Sequence, residues 1–95
     1  MTIPSAVMDE ISQYVKGDRE TLMTQGIVSL VNDKKRAVLL ERLQILARHG
    51  VTSRETLERA MQEGEVREHP TWEDVIILEN LDAELARIDG YLTRV

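Results

Sequence analysis

The chain has 95 residues, of which 42% are hydrophobic and 31% charged, with a net charge of −5. That length makes one domain spanning residues 1–95, and that hydrophobic share excludes a disordered chain. Cysteine is absent, which excludes disulfides, thiolate metal sites and cysteine nucleophiles together.

There is no Phe, and only Trp72, Tyr14 and Tyr91 are aromatic, so the core is expected to be aliphatic. No apolar run approaches the length of a membrane-spanning helix. Met1-Thr2-Ile3-Pro4 lacks the basic start and apolar run of a secretion leader, so a cytoplasmic protein without membrane contact is expected.

The pattern is helical throughout. The first segment is 5–16, opened by Pro4 or Ser5, with Val7, Ile11, Tyr14 and Val15 on one face. Gly17-Asp18 reads as a stop followed by a new cap, and leaves open whether 5–31 is one broken helix or two. The second segment is 19–31, with Met23, Ile27, Leu30 and Val31 on one stripe. Gly26 inside it costs about 1 kcal/mol relative to Ala. Asn32-Asp33 is expected to break and recap the chain.

The third segment, 34–49, is the most apolar. Ala37, Val38, Leu39, Leu40, Leu43, Ile45, Leu46 and Ala47 cover most of its circumference, which suits a central helix. Gly50 ends it. Thr52-Ser53-Arg54-Glu55 reads as a capping box, with the Thr52 hydroxyl accepting from the Glu55 amide. The short fourth helix runs to Glu63 with a thin apolar side of Leu57, Ala60 and Met61, and Gly64 stops it. Residues 65–70 form a polar connection, and Thr71 is expected to cap the last helix, with Glu73 and Asp74 in its first turn. The expected fold is an all-α bundle of four to five helices.

That last helix carries the clearest signal. Leu78, Leu81, Leu85, Ile88, Leu92 and Val95 recur at alternating spacings of three and four, an a/d seam at period 3.5. It either packs on 34–49 inside one bundle or projects and pairs with a second copy or another protein. The helix is longer than its neighbours and bears a second apolar stripe, Trp72, Val75, Ile76 and Ile77, which favours an outward seam. These six residues are therefore the expected partner interface, and a homodimer is the simplest way to cover them.

Charge is segregated. Residues 33–50 hold Lys34, Lys35, Arg36, Arg42 and Arg48 against Asp33 and Glu41, a balance of +3, while 71–95 balances at −4. Side-by-side packing with complementary rims accounts for this. The acidic total argues against nucleic acid, whose affinity rests on phosphate neutralisation.

Leu46 to Leu57 resembles a helix-turn-helix in outline: a helix ends at Gly50, Val51 follows, and a Ser/Thr-rich turn opens a short helix. That resemblance implies a DNA-binding regulator using the 46–63 hairpin, with Lys34, Lys35 and Arg54 as its cations. The short helix carries Glu55, Glu58 and Glu63 against Arg54 and Arg59, unlike a helix that faces phosphates. Asp82-Ala83-Glu84-Leu85-Ala86-Arg87-Ile88-Asp89 resembles the first helix of helical chorismate mutases, which implies Arg87 as a substrate-binding cation. The same cadence is that of an ordinary amphipathic helix.

His49 and His69 stand far apart without paired ligands, and both are expected to be exposed. The serines have no base or elbow motif, and no Gly-rich phosphate loop occurs. The expectation is a non-catalytic protein–protein interaction module (accessory subunit, regulator or inhibitor) with no metal and no cofactor.

Overall fold

A computed structural model describes residues 2–65 and 68–95, the side chains of 68–70 excepted. Four helices follow in order: α1 (Ser5–Val15), α2 (Arg19–Arg48), α3 (Arg54–Gln62) and α4 (Glu68–Leu92). No strand occurs among the described residues. The chain is all-α as expected, but it is elongated, measuring 63 × 25 × 18 Å.

The helix ends show which sequence signals stop a helix. The α1 end is a two-bond cap: Lys16 takes the left-handed conformation at φ 59°, Lys16 N–H donates to Gln13 and Gly17 N–H donates to Ser12. α1 and α2 are thus separate helices. A Cβ on Gly17 would sit 3.3 Å from Leu22 Cδ2, so any larger residue there would have to displace the leucine side chain slightly. Asp18 then caps α2 by accepting from the Thr21 amide at 2.7 Å. That backbone bond, with the Thr21 hydroxyl second, holds the Asp18 carboxyl below its ordinary value. Its support is therefore complete above the ordinary carboxylate range and lost as pH falls through the lowered value. Gly50, at φ 64°, ends α2 with the same two-bond cap: Gly50 N–H donates to Ala47 and Val51 N–H to Leu46.

Three boundaries differ from expectation. α2 runs straight through Asn32-Asp33, so the expected second and third segments are one helix of 30 residues, about 45 Å long. No Gly or Pro lies between Ile27 and His49 to let the chain leave the helix, and Asp33 pairs with Arg36 one turn on. α3 is capped by Ser53 and not by Thr52: the Ser53 oxygen accepts from the Thr56 amide at 3.1 Å and meets the Thr56 hydroxyl at 2.8 Å. Val51 is pinned to Leu46 by the preceding cap, so one more extended residue is needed before the helix starts. α4 starts at Glu68, ahead of Thr71, which is buried inside the helix. Pro70 is tolerated because amides in the first turn have no intrahelical acceptor.

The core lies at one end of the long axis. α2 and α4 pack antiparallel, and α3 closes over α4. Leu57, Val75 and Leu78 are fully buried, joined by Val38, Ile45, Leu46, Leu81 and Ile88. α1 buries no residue completely, and neither does α2 before Val38.

Two substitutions test this layout by chemical denaturation. Leu78→Ala should cost about 2–5 kcal/mol, the range for truncating a packed core leucine. Ser53→Ala should cost about 1 kcal/mol as a lost cap, while Thr52→Ala should change stability little.

Candidate interaction surfaces

The a/d seam of α4 is turned inward. Leu78, Leu81 and Ile88 are core residues, Leu85 and Leu92 pack half-buried against that core, and only Val95 stays exposed. Within one chain, five of these six expected interface residues therefore face the chain's own interior. The length comparison that favoured an outward seam assumed a break at Asn32. A continuous α2 is long enough to line α4 from end to end.

The charges confirm the pairing of these two helices. Along the α2–α4 junction Lys35 Nζ meets Asp89 at 2.7 Å, Lys34 meets Glu84 at 3.4 Å, Arg42 Nε meets Asp82 at 2.8 Å and Arg48 meets Asp74 at 3.2 Å. His49, expected to be exposed, is half-buried, with Nε2 2.7 Å from Asp74 Oδ2. The basic segment and the acidic segment are the two rails of one antiparallel ladder. The His69 side chain lies outside the described residues.

Arg54 holds the third helix to the ladder. Its Nη1 donates to Glu58 and to Glu79, each at 3.3 Å, and its Nε lies 3.4 Å from Asp82 Oδ2, buried without a hydrogen bond. Asp82 already accepts from Arg42, so Arg42, Asp82 and Arg54 tie α2, α4 and α3 together. Hence Lys34, Lys35 and Arg54, the cations that DNA binding would need, all sit against carboxylates. Arg87 is exposed on α4. No cluster of three or more metal-ligating side chains occurs among the described residues.

A family model described as the uncharacterized protein MJ0235 family matches residues 1–95. The chain belongs to that family. No curated protein and no solved structure gives a significant match. This member of the MJ0235 family exposes many large apolar side chains.

That surface is strongly apolar away from the ladder. On α1 and the first half of α2, Val7, Ile11, Met23, Ile27 and Leu30 are exposed. On the outer side of the second half of α2, Leu39, Leu40 and Leu43 are exposed, and on α4 so are Trp72 and Ile76. The sequence pattern puts Met23, Ile27, Leu30 and Val31 on one stripe; the first three are exposed, and Val31 packs partly buried against the core.

Replacing Arg54 with Leu should destabilise the fold by about 1–2 kcal/mol in thermal or chemical melts. The change leaves Glu58, Glu79 and Asp82 without their shared cation, and their partial exposure keeps the loss below that of a fully buried pair.

Proposed function

We propose that this protein is a non-catalytic protein–protein interaction module, working as a homodimer in the cytoplasm, whose apolar helix faces act as an accessory, regulatory or inhibitory surface. One observation carries this reading. The radius of gyration is 20.0 Å, against about 12 Å for a compact chain of this length. The accessible surface is 7359 Å², about 1,800 Å² more than a folded monomer of 10.9 kDa normally shows. Surface of that extent, rich in exposed Leu, Ile and Met, is the mark of an association face.

The polar groups support the same reading. The charged side chains that come together across α2, α3 and α4 hold those helices to one another; two of them, Glu58 and Glu79, also line a cleft of about 380 Å³ with Met61, Gln62 and Trp72, and there both accept from Arg54. DNA binding through the 46–63 hairpin is the weaker alternative, because its short helix carries Glu55, Glu58 and Glu63 against Arg54 and Arg59, and Arg54 is itself held by Glu58, Glu79 and Asp82.

Sedimentation equilibrium over a wide concentration range is the direct test. The expected result is a dimer that persists to low micromolar concentration. A stable, helical monomer at every concentration would remove the homodimer from this reading, and salt-sensitive binding to duplex DNA would favour the alternative.

A further inference from the structure

Residues 21–32 contain no charged side chain, although 31% of the chain is charged. They form more than three turns in the first half of α2, and most are exposed. Depletion of charge is the compositional signature of an interface centre. On this stretch Met23 is 60% exposed, Ile27 51% and Leu30 69%. Their spacings of four and three place them on one side of the helix, roughly a quarter turn from the face that meets α4. Gly26 lies between them, and a Cβ built there would meet nothing within 4 Å. Among the described residues no contact therefore explains a glycine that weakens an exposed helix interior.

We infer that this face pairs with the same face of a second copy, α2 against α2 and antiparallel, about a two-fold axis between Gly26 and Ile27. The inference rests on the homodimer reading above and specifies its interface. In this register Met23 meets Leu30 of the second copy, and Ile27 seats in the space left by Gly26 of the second copy. Both apolar contacts occur twice. A small residue opposite a branched one lets the helix axes approach closely.

The flanking charges agree with this register. In an antiparallel two-fold pair, side chains on the same flank of the seam meet. Arg19 then lies beside Asp33 of the second copy, and Glu20 beside Lys34 of the second copy. Each pair joins opposite charges within one residue's rise along the axis. The present local partners of these groups, Asp9 for Arg19, Arg36 for Asp33 and Glu84 for Lys34, are exposed pairs of the kind that contributes little, so re-pairing is cheap.

Area points the same way. The excess of about 1,800 Å² per chain, taken over two copies, falls in the range of permanent homodimers. The seam alone does not bury that much, but apolar clefts flank it. One, of about 210 Å³, lies between α1 and α2 and is lined by Ile3, Ile11, Leu22 and Met23. The other, of about 350 Å³, lies between α2 and the end of α4 and is lined by Ile27, Val31, Tyr91 and Val95. Val95, the one seam residue of α4 left exposed, belongs to this second cleft.

Reciprocal charge exchange tests the register. R19D and D33R should each weaken dimerisation about tenfold in sedimentation equilibrium, and the double variant should recover it. A merely structural role for either residue would give no recovery. Because the chain has no cysteine, I27C and L40C provide an independent reading. On mild oxidation I27C should form a covalent dimer, and L40C, on the outer side of α2, should not. A dimer that cross-links through L40C and ignores the charge exchange would overturn this interface while leaving the homodimer intact. A monomer at all concentrations would overturn both.

Discussion

The antiparallel junction of α2 and α4 is the contact on which the rest of the structure depends. Its apolar layer is Val38, Ile45 and Leu46 facing Leu78, Leu81 and Ile88. Its rim is the ladder from Lys35–Asp89 at one end to the Arg48 and His49 pairs with Asp74 at the other. Burial supplies most of the stabilisation, since the ion pairs are largely solvated. The ladder supplies register: slipping one helix past the other by a turn would misplace several pairs at once. α3 depends on this junction too, because Leu57 packs into the layer and Arg54 reaches two carboxylates of α4.

The junction also accounts for what is left uncovered. α4 is about 37 Å long and α2 about 45 Å, so the first part of α2 extends past the end of its partner. α1 crosses only the start of α2, near Arg19 and Leu22. An amphipathic helix gains most of its stability from packing of its apolar face. The first half of α2 has such a face, with Met23, Ile27 and Leu30, and no element among the described residues covers it. In the proposed dimer a second copy covers it without requiring any new sequence, because a stripe of this kind is complementary to itself under a two-fold axis.

Much of this was legible in the sequence, and the failures have a common cause. Glycine stops were read correctly at Gly50 and Gly64, where a positive φ is required. Opposite balances on 33–50 and 71–95 gave the side-by-side packing, since complementary rims need no knowledge of the fold. The errors came from polar residues taken as caps. Asn32-Asp33 looks like a break, but a cap residue acts only where the chain can leave the helix, and nothing there lets it. Thr52 and Ser53 both satisfy the capping pattern, and only the pinning of Val51 chooses between them. The misplaced break at Asn32 then shortened α2 and made α4 appear too long for its neighbours, which was the argument for an outward seam on α4. The stripe at Met23, Ile27 and Leu30 was visible as a stripe; its exposure depends on where α1 and α4 end, which is a tertiary fact.

The central claim is that the first half of α2 is completed by a second copy. Amide hydrogen exchange followed across a dilution series tests it most directly. The account predicts that protection at residues 38–46 and 75–88 is set by folding of the chain, while protection at 21–32 rises with protein concentration. Protection at 21–32 that stays the same at every dilution would contradict it.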